Sequence, residues 1–61
     1  MRYKIEVWFK NGMYWAKEVD NYEHLTNSIH FIDNNIGGVV FTEEALAYSI
    51  SEIKEPNEFN N

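Results

Sequence analysis

The sequence predicts a small α+β domain. An antiparallel sheet, built from a β-hairpin and one or two further strands, carries one amphipathic helix packed on one face. Three observations lead there. Residues 3–9 alternate apolar and polar with period two, Asn11-Gly12 is a strong hairpin signal, and Leu25, Ile29, Ile32 and Ile36 recur at helical spacing.

In the first strand Tyr3, Ile5, Val7 and Phe9 share one side, while Lys4, Glu6 and Trp8 share the other. Residues 13–19 form the return strand. Two registers compete. A two-residue loop at Asn11-Gly12 pairs Trp8 with Trp15 and sets Glu18 opposite Ile5 on the core face. A three-residue loop, with Gly12 left-handed in a bulge, pairs Phe9 with Met13, Val7 with Trp15 and Tyr3 with Val19. We prefer the second, because it gathers the apolar residues on one face, and burial of one face sets register. Lys17 is its one misfit, and its stem can snorkel to the sheet edge. Trp8 then lies beside Tyr14, and Lys4 beside Glu18, on the outer face.

Asp20 and Asn21 suit a helix N-cap, and Glu23 suits the positive end of the helix. The stripe from Leu25 to Ile36 then predicts a helix of about fourteen residues, ended by Gly37-Gly38 with Asn34 and Asn35 fraying its last turn. Val39-Val40-Phe41 is a short β-run. Residues 45–53 fit two patterns: Leu46, Tyr48 and Ile50 alternate as in a strand, while Leu46, Ile50 and Ile53 recur as in a helix. We read a strand, since a sheet under one helix needs a third and fourth strand to cover it. Pro56 stops either element. Residues 1–55 are thus one domain, and 56–61 a polar tail expected to be disordered. The expected core is Ile5, Val7, Phe9, Trp15, Val19, Leu25, Ile29, Ile32, Val40 and Ile50.

Ten acidic and ten aromatic residues share 61 positions. A chain this short buries roughly 60% of the surface it exposes when unfolded, so some rings must stay near the surface among carboxylates. The net charge is −5 and only Arg2, Lys4, Lys10, Lys17 and Lys54 are basic, which argues against direct nucleic-acid binding. No apolar run is long enough to span a bilayer, and the charged start of the chain does not read as a signal peptide. With no cysteine, a thiol nucleophile and a zinc knuckle are excluded, and a cytoplasmic location in the host cell is expected.

The residues show little catalytic pattern. His24 and His30, six apart on the expected helix, face opposite sides and share no metal. Glu43 and Glu44 are neighbours that point apart, and a glycosidase-like pair needs a cleft between its carboxyls. Gly37-Gly38 lacks the spacing of a nucleotide fingerprint. No enzymatic activity, cofactor or metal is therefore assigned. Trp8 with Tyr14 is either a cross-strand pair that stabilises the hairpin or an interface, for a homodimer or a foreign partner. The acids are spread over the chain without a run. Carboxylates so spaced can imitate DNA phosphates and draw a basic DNA-binding groove.

This order of strand, Asn-Gly hairpin, strand, helix, glycine break and strand, in an acidic, ring-rich chain, resembles the layout of small phage-encoded inhibitors of uracil-DNA glycosylase. Those inhibitors mimic the DNA backbone, dimerise through a sheet and hold an apolar pocket for a leucine of the enzyme. One such family uses a Glu-Ser-Ile strand; the nearest stretch here is Ser49-Ile50-Ser51-Glu52, with the glutamate on the other side. The resemblance implies Glu43, Glu44 and Glu52 as phosphate mimics, and Trp8, Tyr14 and Tyr48 as the lining of a pocket or dimer seam. It implies a basic DNA-binding host enzyme as partner. The alternative is an accessory homodimer of a phage or mobile element, associating through its aromatic face.

Overall fold

The computed structural model describes residues 1–54, and there the chain is all-β. The strands are β1 (Arg2–Phe9), β2 (Tyr14–Val19), β3 (Asn21–His24), β4 (Ser28–Asp33), β5 (Ile36–Phe41) and β6 (Ala45–Ile53). They make two three-stranded antiparallel sheets, ordered β2-β1-β6 and β3-β4-β5. The expected helix is absent, so the α+β reading is corrected to all-β. The expected tail, with Pro56, lies outside the described residues. Among the described residues no helix is long and apolar enough to cross a membrane.

The first hairpin has the preferred register, with Tyr3 opposite Val19, Val7 opposite Trp15 and Trp8 opposite Tyr14. Phe9 N–H donates to the Met13 carbonyl at 2.8 Å and Gly12 N–H to the Phe9 carbonyl at 3.0 Å. Gly12 sits at φ 91°, a left-handed conformation that a side chain would strain. Lys17, opposite Ile5, reaches outward from the edge strand to within 3.9 Å of Asp33. The strand reading of residues 45–53 also holds, with Ile5 opposite Ile50 and Val7 opposite Tyr48. Between Trp8↔Ala47 and Phe9↔Ala45 the register shifts, so Leu46 is the extra residue of a bulge.

The region expected to be helical is a second meander. Asn34 and Asn35 adopt φ 54° and 65° between Asp33 and Ile36, which face each other across the turn. Two consecutive left-handed residues make a type I′ hairpin turn, and asparagine enters that region more readily than other side chains. The span 22–36 also holds no Ala, Lys, Arg, Gln or Met, but has three isoleucines, a threonine and two aromatics. That composition suits a pleated surface better than a helix. The apolar stripe was an accident of spacing. Ile29 points into the core, whereas Leu25, Ile32 and Ile36 are exposed, which removes Leu25 and Ile32 from the expected core.

The observed core is Ile5, Val7, Val19, Ile29 and Val40, drawn from both sheets. Phe9, Trp15 and Ile50, also expected there, pack against it half-buried, together with Tyr3, Tyr22, Phe31 and Ala45. The sheets meet through rings. Trp15 on β2 lies 5.8 Å from Phe31 on β4, and Tyr3 on β1 meets Tyr22 on β3 edge-on at 5.0 Å. Two residues further along β3, His24 meets Tyr48 on β6. β3 therefore crosses β1 and β6 rather than running along them, as sheets do when a strand turns a corner between them. That corner is Asp20, whose N–H donates to the Ile32 carbonyl at 2.9 Å.

Polar groups hold the corner. Arg2 bridges Asp20 and Asp33, the latter at 3.2 Å, and the Asp20 carboxylate accepts Asn34 N–H at 3.0 Å. The tip of the β4–β5 hairpin is so tied to the start of β1. Phe31 lies over Gly38, where an added Cβ would stand 2.5 Å from the ring, so any side chain at this position would have to displace Phe31.

Candidate functional site

Strand pairing arranges each outer face as three rows of three residues. On the first sheet the rows are Glu18–Lys4–Ser51, Ala16–Glu6–Ser49 and Tyr14–Trp8–Ala47. Trp8 and Tyr14 lie on this face as expected, with ring centroids 5.5 Å apart. The Tyr14 hydroxyl donates to Glu6 Oε2 at 2.8 Å, and the Ser49 hydroxyl reaches Glu6 Oε1 at 3.5 Å. The bond to Glu6 is the main cause that holds the Tyr14 phenol above its ordinary pKa. Each carboxylate of this face thus has a cation opposite it or hydroxyl donors beside it.

On the second sheet the rows are Asn21–Ile32–Gly37, Glu23–His30–Val39 and Leu25–Ser28–Phe41. Four apolar side chains dominate: Leu25 is 41% exposed, Ile32 52%, Val39 41% and Phe41 64%. The first two rows line a hollow of about 590 Å³, open where Gly37 presents no side chain. Past Phe41 a second hollow of about 450 Å³ is bordered by Phe9, Val39, Val40, Phe41, Glu43 and Glu44. The two hollows meet at Val39.

The residues named as phosphate mimics and those named as a pocket or dimer seam lie at several places on the fold. Glu43 and Glu44 occupy the β5–β6 turn, where Glu44 lies 3.9 Å from Lys10 and its carbonyl accepts Lys10 N–H at 2.8 Å. Glu52 pairs with Tyr3 at the far end of β6, roughly 25 Å of strand away. Trp8 and Tyr14 stand near the Glu44 end but on the outer face. Tyr48 belongs to the inner-facing set, its hydroxyl oxygen 2.7 Å from His24 Nε2. It ties β6 to β3 and is no part of an outer ring cluster. His24 and His30 do face opposite sides, through strand alternation rather than helical rotation.

Charge is segregated as well. No Lys or Arg occurs between Lys17 and Lys54, while Glu18, Asp20, Glu23, Asp33, Glu43, Glu44 and Glu52 all fall there. The whole second sheet and both of its connections are therefore free of cationic side chains of its own. Arg2 and Lys17 reach to the Asp20–Asp33 corner and Lys10 to Glu44 in the β5–β6 turn. Leu25, His30, Ile32, Val39 and Phe41, which the structure gathers on the second sheet's outer face, were not among the candidate site residues read from the sequence. The signal that finds them is that base-free stretch with alternating apolar residues inside it. No protein-family model, no curated protein and no solved structure matches this chain.

Proposed function

We propose that this protein is a non-enzymatic acidic binding module that occupies the DNA-binding surface of a basic enzyme. The observation that supports this reading is the charge segregation, seven carboxylates and no cation over residues 18–53. Arg2, Lys10 and Lys17 pair with Asp20, Asp33 and Glu44 from outside the stretch, and the excess negative charge that remains attracts a basic groove over a Debye length, as DNA does. The apolar side chains beside those carboxylates supply contact area that charge alone lacks. The layout that pointed to uracil-DNA glycosylase included a helix, so the proposal rests on charge and is framed for the class of enzyme.

The test titrates the protein into DNA complexes of several basic DNA-processing enzymes, beginning with uracil excision by a bacterial uracil-DNA glycosylase. Stoichiometric loss of DNA binding, weakening as salt is added, is expected for at least one enzyme. Replacing Glu43 and Glu44 with Gln weakens the effect without unfolding the domain. If every enzyme keeps its DNA at a large excess of this protein, the reading falls.

A further inference from the structure

We infer that the outer face of β3, β4 and β5 is a docking surface for a basic amphipathic helix of a partner protein. This rests on the binding-module reading above and names its surface and the element that surface takes. The face has four exposed apolar side chains, Leu25, Ile32, Val39 and Phe41, around the Glu23–His30 pair. Nothing else in the described chain covers it. The opposite outer face differs, since Glu6 there is engaged by Tyr14 and Ser49 and Lys4 stands opposite Glu18.

Charge selects the occupant. Glu23 sits in the middle row, Glu43 and Glu44 follow Phe41, and no Lys or Arg lies on the sheet. A second copy, docked face to face about a two-fold axis, would bring like carboxylates together and join two chains of net charge −5. A cationic partner gains where a second copy loses.

Dimensions select the element. Three strands span on the order of 10 Å between outer strand axes, and three rows on the order of 13 Å along them. A helix is about 10 Å across and advances 13 Å in about nine residues, enough for apolar anchors at i, i+3 or i+4, and i+7. The hollow left by Gly37 admits one large anchor beside Ile32 and Val39. Lysine or arginine on the flanks of that helix would reach Glu23 on one side and Glu43 and Glu44 at the end.

The probe is a short synthetic helix of leucine and lysine with every leucine on one face, titrated into isotopically labelled protein and followed by amide shifts. Controls are the same composition with leucines scattered around the helix, and a leucine–glutamate helix of the original pattern. Shifts confined to residues 21–41, with weaker binding of the scattered peptide and none of the acidic one, are expected. Val39→Lys should weaken binding by about tenfold or more, as loss of a central anchor does. Phe41→Ser is the second face variant should the first disturb the amide spectrum, and Trp8→Ala on the other face should leave affinity unchanged. Equal binding of the scattered peptide, or shifts centred on Trp8, Tyr14 or Glu52, would overturn the docking face while leaving the basic-partner reading intact. Failure of both lysine peptides to bind would also overturn the docking face, and the enzyme titration decides the basic-partner reading separately.

Discussion

Across β2, β1 and β6 the outer face places Lys4 opposite Glu18 and gives Glu6 two hydroxyl neighbours, whereas across β3, β4 and β5 the carboxylate of Glu23 stands among apolar residues with no cation on its sheet. The inner faces are alike by contrast, with Ile5, Val7 and Val19 from one sheet meeting Ile29 and Val40 from the other. Similar inner faces with dissimilar outer faces separate two jobs. Stability comes from the core the sheets share. On the proposed reading, capacity for a partner lies on the face of β3, β4 and β5, where Leu25, Ile32, Val39 and Phe41 are exposed. Surface ion pairs and hydroxyl bonds contribute little to stability, about 0–1 kcal/mol each, but they do occupy the groups that a partner would need.

If the core is truly common to both sheets, damage to either must unfold both. Ile5→Ala and Ile29→Ala each remove a fully buried side chain and should cost about 2–5 kcal/mol. A domain of this size holds roughly 3–9 kcal/mol in total, so both variants should be largely unfolded at room temperature or melt far below the parent. Circular dichroism melts check this. A variant that loses one sheet's signals while the other melts normally would break the comparison, because the sheets would then be separate units.

The second sheet depends on the Asn34-Asn35 turn, and a substitution there separates a hairpin from a helix by sign. Asn35 is left-handed at φ 65°, so Asn35→Ala should destabilise by about 1 kcal/mol and Asn35→Gly should be neutral or stabilising. In a helix the order would invert, since alanine is favoured over glycine there by about 1 kcal/mol. Urea unfolding of the two variants gives the order directly.

The smallest effect concerns the satisfied face. Tyr14 is raised above the ordinary tyrosine value of 10.0, first by its hydrogen bond to Glu6 and then by desolvation. A folded-state pKa above the unfolded one means the native state keeps its proton longer. The associated stability is present below the ordinary pKa and is lost as pH rises through the raised value. Ultraviolet titration should show the Tyr14 phenol ionising above its ordinary value, and Glu6→Ala should bring it back toward that value. An unchanged titration in that variant would mean that the two outer faces differ less than their geometry indicates.

Much of the first sheet was legible in the sequence. Tyr3, Ile5, Val7 and Phe9 alternate strictly, Asn11-Gly12 admits few turns, and only one register puts Trp15 and Val19 with them. That register and the outer-face pairing of Trp8 with Tyr14 follow from local rules and are found. Residues 22–36 were ambiguous because Leu25, Ile29, Ile32 and Ile36 satisfy a helical spacing while Ile29, Phe31 and Asp33 satisfy a strand. The reading followed the stripe and took Asn34 and Asn35 as the fraying end of a helix, whereas they form the turn of a hairpin. Where Glu43, Glu44, Glu52, Trp8, Tyr14 and Tyr48 stand relative to one another was not legible for a related reason. Residues far apart along β6, or on opposite sides of it, share a surface only if the fold places them there.

The sequence by itself determined the first hairpin, the acidic balance and the absence of Lys and Arg from residues 18–53, because these depend on near neighbours or on counting. Tertiary structure decided that residues 22–36 and 45–53 settle as strands, that Tyr48 turns inward to His24, and that Leu25, Ile32, Val39 and Phe41 come to share one face. Each of those outcomes depends on a ring or sheet supplied from a distant part of the chain: Trp15 against Phe31, Tyr3 against Tyr22, Tyr48 against His24. Burial against such partners outweighs local propensity, which differs between helix and strand by only about 1 kcal/mol per residue or less.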